Sequence, residues 1–547
     1  MLPLILAATL SQAQKIKKED KALLAGLQTH INFLADDKLE GRRTGTEGER
    51  QAALYISGQF LAAGLQPKGT EGFYQRFEIP EGRQVNAGTQ LSIDDRPLAV
   101  GSDFFPLPFS ANSSITALAS LSLQESGTPW FLDLAEMLEA NAANPHFDIA
   151  EALKEKVKKM ASKGATAVFL YNTSATPDGL SFTGKEKTDL VSIPVVYLSK
   201  QSAKKYLGDE SATLDIRLKT DIGAKSRKGT NVVGYLDNGA ATTIVLGAHF
   251  DHLGRGEDNN SMQRTGEPAI HNGADDNASG TAALIEIARL LKASKLTTSN
   301  YLFIAFSGEE LGLFGSKYFV EHPTVDLGSV SFMVNMDMVG RLNDSSHTMT
   351  VGGYGTTPTW GQLYGLTGKK KLVSGDLRFR FDSSGTGPSD HTSFYNKGIP
   401  VLFYFTGLHA DYHRPTDDAN RINYMGELQV VRHIYSLVET VVKSKQRPAF
   451  TKTRDAQVGT SARFSVTLGI MPDYTFDGNG VRVDGISDGR PAQKAGLQTG
   501  DVITALGDQK VSSVESYMQA LGKFKKGDRT MVTYTRNNKM ATVSVEF

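Results

Sequence analysis

Cysteine is absent from all 547 residues of the chain. No disulfide can form, and neither a thiolate metal ligand nor a cysteine nucleophile is available. Net charge is missing too, because 59 lysines and arginines are matched by 59 aspartates and glutamates. Such a balance makes no electrostatic case for nucleic acid, so none is expected as a partner. Apolar runs of bilayer-spanning length are lacking as well. The run Leu2 to Leu10 is too short to cross a membrane, and no transmembrane span is expected. Internal repeats and low-complexity tracts are also missing.

The Leu2–Leu10 run reads instead as a targeting signal. Ser11-Gln12-Ala13 follows it, with small residues at the spacing signal peptidase accepts. Residues 1–13 are therefore expected to be a signal peptide, and the protein to be exported, periplasmic or secreted. An exported chain without cysteine suits a bacterial compartment. Its stability must then come from core size, for which the chain is long enough.

What is present centres on His271-Asn272-Gly273-Ala274-Asp275-Asp276-Asn277-Ala278-Ser279-Gly280. From Thr281 onward Ala283, Leu284, Ile287, Leu290 and Leu291 fall at helical spacing, so this stretch leads into a helix. Three other segments each close an apolar run that reads as a strand. Gly247-Ala248-His249-Phe250-Asp251-His252 follows Thr243–Leu246. Phe306-Ser307-Gly308-Glu309-Glu310 follows Leu302–Phe306. Asn335-Met336-Asp337-Met338 follows Val330–Val334. Strands alternating with helices predict an α/β fold with a mostly parallel sheet. In such sheets ligands bind beyond the carboxyl ends of the strands, where His249, Glu309, Glu310 and Asp337 fall. Imidazole and carboxylate without thiolate suit zinc, and several carboxylates around one or two histidines would hold two ions. Glu309 and Glu310 are adjacent, so one can bind metal while the other serves as general base. Solvated loop acids explain one such residue easily, but not four segments in this order.

A fifth segment, Ile399–Phe405 followed by Thr406-Gly407-Leu408-His409-Ala410-Asp411-Tyr412-His413-Arg414-Pro415-Thr416-Asp417-Asp418, completes a pattern. Together these segments resemble the zinc-dependent exopeptidases related to aminopeptidase Y and the secreted bacterial leucyl aminopeptidases. The resemblance covers residues 20–85 and 229–445. It implies a three-layer fold with a mixed, mostly parallel sheet flanked by helices. It also implies a dizinc site with two Zn2+ ions held by His249, Asp276, Glu310, Asp337 and His413, Asp276 bridging. Glu309 would be the general base toward a metal-bridged water, Asp251 the carboxylate that orients His249, and Tyr412 a donor to the oxyanion. A strained backbone, such as a cis peptide, is implied at Asp276–Asn277. Ser389-Asp390-His391 offers a second histidine; the family pattern favours His413 and leaves His391 as the alternative. His252, His271 and His409 read as loop residues or supports. Asp418 stands where the family usually has threonine.

The implied activity is aminopeptidase: hydrolysis of N-terminal residues from peptides with a free N-terminus. A carboxypeptidase or dipeptidase on the same scaffold is the alternative, and a non-catalytic peptide-binding protein is a second. Residues 20–85 read as two amphipathic helices and a strand, joined by the polar loop Leu39-Glu40-Gly41-Arg42-Arg43-Thr44-Gly45-Thr46. Without the resemblance they carry no function. Residues 86–228 interrupt the pattern. A basic helix from Ala150 to Ser162 and the strands Ala167–Tyr171 and Ile193–Leu198 resemble a protease-associated insert. Residues 446–461 are polar and read as a linker. Residues 462–547, with Thr467-Leu468-Gly469-Ile470 and Gly489-Arg490-Pro491-Ala492-Gln493-Lys494-Ala495-Gly496-Leu497, resemble a bacterial PDZ domain. In that fold the Leu-Gly-Ile loop holds a peptide's C-terminal carboxylate.

Overall fold

The computed structural model describes residues 18–142, 144, 147–184, 188–209, 211–258, 260–263, 267–365, 372, 375–453, 466–472, 479–486, 489–512, 514–537 and 539–547. The expected signal peptide lies outside them. Two compact units are present: residues 78–227, and the rest of the chain on either side.

In the larger unit the chain builds a nine-stranded mixed sheet. Its strands are β1 (Gln66–Pro67), β2 (Tyr74–Val85), β3 (Ile222–Leu236), β4 (Thr243–His249), β5 (Asn300–Phe306), β6 (Val330–Met336), β7 (Thr348–Gly352), β8 (Arg378–Phe381) and β9 (Val401–Phe405). They run in the order β1-β3-β5-β4-β6-β9-β7-β8, with β2 also paired to β3. The four central strands β5, β4, β6 and β9 are mutually parallel, while β3 and β7 join them antiparallel. Parallel central strands are covered on both faces, so they read as near-continuous apolar runs.

The alternation of side chains shows the three layers. Ile244, Leu246, Phe303, Phe332 and Val334 pack on one face against helices α1 (Lys18–Leu34), α2 (Glu47–Ala62), α3 (Gly280–Ala293) and α6 (Tyr424–Ser444). Val245, Leu302, Ile304 and Met333 point the other way, to α4 (Phe314–Glu321) and α5 (His391–Tyr395). Leu23, Leu27, Ile31 and Leu34 form the buried stripe of α1, as their spacing predicts. On α2 the buried stripe is Ala52, Ile56 and Phe60; Leu54 turns outward and is 57% exposed. Thr46 caps α2 by accepting from the Glu49 N–H, and Glu49 accepts in return from Gly45 N–H, a reciprocal cap.

Residues 446–453 do not hang free. Arg447 donates to the Gly328 and Val330 carbonyls at 2.7 Å, Thr451 N–H to Thr356 O at 2.8 Å, and the Thr453 and Tyr395 hydroxyls meet at 2.9 Å. The remainder of the expected linker lies outside the described residues. The C-terminal residues form a separate six-stranded sheet from Ile470–Pro472 to Lys539–Glu546, with a helix at Val514–Leu521. Gly469 there has φ of +80°, which favours glycine.

The smaller unit carries two four-stranded sheets of its own. In one, Pro129–Asp133, Ala167–Tyr171 and Val195–Leu198 are parallel and Phe104–Pro106 is antiparallel at the edge. The helix Ile149–Ser162 is capped by Asp148 and buries Leu153, Val157 and Met160.

Candidate metal centre and active site

Parallel pairing of β5, β4, β6 and β9 places their C-terminal ends along one edge. His249 is the last residue of β4, Asp337 follows β6 directly, and Glu309 and Glu310 come three and four residues after β5. Asp276 arrives from the other direction, in the irregular turn Ala274–Ser279 that opens α3; the Asp276–Asn277 peptide is cis. Asp417 holds this turn by accepting from the Asp275 and Asp276 N–H groups at 3.0 Å.

The side chains converge in two groups that share Asp276. In the first, His249 Nε2 lies 3.4 Å from Asp276 Oδ1, 3.3 Å from Asp337 Oδ1 and 3.9 Å from Glu309 Oε2. In the second, His413 Nε2 lies 3.2 Å from both Asp276 Oδ2 and Glu310 Oε2. His252 Nδ1 also reaches Glu310 Oε1, at 2.8 Å, and stands 3.8 Å from Asp276 Oδ2. The triplets His249–Asp276–Asp337 and His252–Asp276–Glu310 each have ligand atoms close enough to share one ion.

The supports of these groups differ from what the motif alone implies. His249 Nδ1 donates to the Asp251 main-chain carbonyl at 3.2 Å, while the Asp251 carboxylate is 3.8 Å away. That carboxylate accepts from Glu309 N–H at 3.2 Å and from the Thr44 hydroxyl at 2.9 Å. His413 Nδ1 donates to Asn260 O at 2.9 Å. In both histidines the outer nitrogen is tied down and Nε2 is left facing the carboxylates, an arrangement typical of metal-binding imidazole. Tyr412 stacks its ring on that of His413, 3.9 Å between centroids. His391 is buried against Phe403, 4.5 Å between rings, and burial pulls its imidazole down to about 3.

The electrostatics are those of carboxylates crowded without enough positive charge. Burial works against charging His249 and His413, yet the carboxylates around them hold both well above the usual histidine range. Burial pushes Glu309 well up, reinforced by Asp337 and Glu310. Glu310 is held well below the carboxylate range, because His413 and His252 outweigh its burial. Among the described residues no lysine or arginine makes an ion pair with Asp276, Glu309, Glu310 or Asp337. A buried donor set of imidazole and carboxylate alone fits zinc.

His252, which the sequence suggests as a loop residue or support, stands among the ligand carboxylates themselves. Its signal was the second histidine of His249-Phe250-Asp251-His252, three positions after the first.

Residues 231–438 match peptidase family M28, and residues 450–547 match a PDZ domain. The chain is 27% identical over 429 residues to aminopeptidase YwaD of Bacillus subtilis, covering 75% of this chain and 83% of that protein. It is 33% identical over 196 residues to leupeptin-inactivating enzyme 1 of Streptomyces exfoliatus, covering 35% and 39%. The alignment thus spans well under half of that second relative. Among solved structures, BSAP, a zinc aminopeptidase from Bacillus subtilis, is 22% identical over 79% of this chain and 96% of that one, with a TM-score of 0.42.

Proposed function

The chain carries a peptidase family M28 domain followed by a PDZ domain, and on that premise we propose that it is an exported dizinc aminopeptidase. The observation that carries this reading is the position of Asp276. Its Oδ1 lies 3.4 Å from His249 Nε2, which also meets Asp337, and its Oδ2 lies 3.2 Å from His413 Nε2, which also meets Glu310. His249 and Asp337 would hold one ion, His413 and Glu310 the other, and Asp276 both.

Bound there, zinc would supply Lewis acidity toward the scissile carbonyl and lower the pKa of the attacking water. The chain's own groups do the rest. Glu309, beside His249 but outside both triplets, accepts the water's proton as the oxygen attacks, and passes it to the amine as the C–N bond breaks. Its loop is held by its N–H on Asp251. Tyr412 donates its hydroxyl to the oxyanion. His413 is preferred to His252 as the ligand because its Nε2 reaches both carboxylates equally and its Nδ1 is anchored.

Export rests on the Leu2–Leu10 run and the small residues of Ser11-Gln12-Ala13 after it. No helix of the described residues is long and apolar enough to cross a membrane. The inserted unit reads as a protease-associated domain, and the PDZ groove as a holder of a peptide C-terminus.

The test is a peptide library digested with the purified protein, with elemental analysis alongside. Trimming from the N-terminus with about two zinc ions per chain is expected. Trimming from the C-terminus instead establishes the carboxypeptidase alternative. A metal-free, inert protein establishes the peptide-binding one.

A further inference from the structure

The loop Leu39–Thr46 has no part in the chemistry above, yet the chain folds it directly beneath the site. Arg42 is completely buried. Among the described residues its guanidinium binds no carboxylate and only main-chain carbonyls. Nε donates to Phe250 O at 2.7 Å, Nη1 to Asn272 O at 2.6 Å and to Leu34 O, and Nη2 to Gly273 O at 3.0 Å. Phe250 lies between His249 and Asp251, and Gly273 comes three residues before Asp276. One side chain thus joins the main chain beside two of the proposed ligands, and anchors both to the end of α1.

The main chain of the loop adds to this. His252 N–H donates to Arg42 O at 3.3 Å, and Gly254 N–H to Gly41 O at 3.1 Å. Gly41 has φ of +70°, and a Cβ there would stand 2.5 Å from the His271 carbonyl, so the approach needs glycine. Three residues on, the Thr44 hydroxyl donates to Asp251 Oδ2, while Asp251 Oδ1 receives the Glu309 N–H. The loop therefore reaches the third segment of the site as well.

The residue type fits the task. Only the planar, five-donor fork of arginine reaches four carbonyls splayed in this way; an ammonium group has three donors on one atom. Burial pulls this guanidinium down to about 10, and the nearby charges of Asp276, Asp251, Asp417 and Glu310 oppose that pull. A permanent cation behind the carboxylates also offsets part of their mutual repulsion.

We infer that Gly41–Thr44 is the positioning element of the proposed metal centre: Arg42 sets the separation of His249 from Asp276, and Thr44 sets Glu309 through Asp251. This inference rests on the metal-centre reading. Its test uses the full-length protein and two variants. Arg42→Lys keeps the charge and loses the fork. It is expected to weaken zinc retention in a chelator competition by roughly 10- to 100-fold, the usual effect of losing a support of a ligand, and to lower kcat with KM little changed. Thr44→Val keeps the shape and loses the hydroxyl. It is expected to retain zinc and lower kcat, again with KM little changed.

Val441→Ala, in the buried face of α6, is the control: it should lower thermal stability without altering zinc retention or kcat. Loss of zinc retention in Val441→Ala to the same degree as in Arg42→Lys would reduce Arg42 to an ordinary core residue and overturn the inference. So would a folded Arg42→Lys and Thr44→Val that both match the wild type. If Arg42→Lys does not accumulate, the kcat of Thr44→Val decides alone. A wild type that retains no zinc overturns the function reading and this inference together. A loaded, active wild type with unaffected variants overturns the inference only.

Discussion

Two adjacent glutamates, one peptide unit apart, meet different neighbours. Glu310 is drawn to His413 and His252, while Glu309 faces His249 across 3.9 Å. Exchanging carboxylate for amide should therefore separate them. Glu309→Gln keeps the shape but cannot take a proton, so kcat should fall by about 10²–10⁴-fold while the metal stays bound. Glu310→Gln should instead lose metal on dialysis. Elemental analysis beside turnover on an aminoacyl-anilide checks both, and swapped phenotypes would reverse the two roles. The histidines allow a second comparison. His413→Ala removes an anchored imidazole that reaches two carboxylates, and should lose about one metal per chain. His252→Ala should keep both metals. Retained metal in His413→Ala, with loss in His252→Ala, would transfer the ligand role to His252.

Elements meet at Glu49. Its N–H takes part in the cap of α2, but its carboxylate also accepts from Thr230 N–H in β3 at 3.0 Å and from the Ser307 hydroxyl after β5 at 2.6 Å. Ser307 N–H is held in turn by Asn231, whose amide donates to the Gly315 carbonyl. A helix, two strands and the segment leading to Glu309 are thus joined through buried polar groups. Glu49 receives three hydrogen bonds and has only oxygens to offer. Glutamine would turn an amide N–H toward one of those donors. Glu49→Gln should cost roughly 1–3 kcal/mol, the usual penalty for an unmatched buried group, measured as a shift in denaturant midpoint. An unchanged midpoint would show that the network adapts and does not tie these elements together.

At the scale of the molecule, every proposed catalytic residue lies between His249 and His413, ahead of the PDZ residues. Residues 446–453 are hydrogen-bonded to the peptidase unit through Arg447, Thr451 and Thr453, and belong to it. Removing residues 462–547 should therefore leave kcat/KM on a short aminoacyl-anilide nearly unchanged. The same truncation should weaken binding of peptides that present a free C-terminal carboxylate, for which Leu468-Gly469-Ile470 would supply N–H groups. Cutting after residue 445 should in addition lower the melting temperature. Loss of small-substrate activity in the shorter truncation would make the PDZ domain part of the catalytic fold.

The sequence by itself determined the central strands and the residues at their ends. Period and run length are local properties, and a strand buried on both faces announces itself as Thr243–Leu246 or Val330–Val334 does. The acidic and imidazole residues that close such runs are legible for the same reason. The direction of Leu54 was not, since two faces of a short helix can both look apolar. Nor were the approach of His252 to Glu310 and the roles of Arg42, Thr44 and Glu49. Arg42 acts on Phe250 and Gly273 across 208 and 231 residues of chain, and Thr44 on Asp251 across 207. Such contacts leave no periodic trace, because they exist only once the sheet has brought its strand ends together. Likewise, which histidine faces Glu310, and which part of Asp251 supports His249, are matters of ångströms. Only the packing of the loops over that edge decides them.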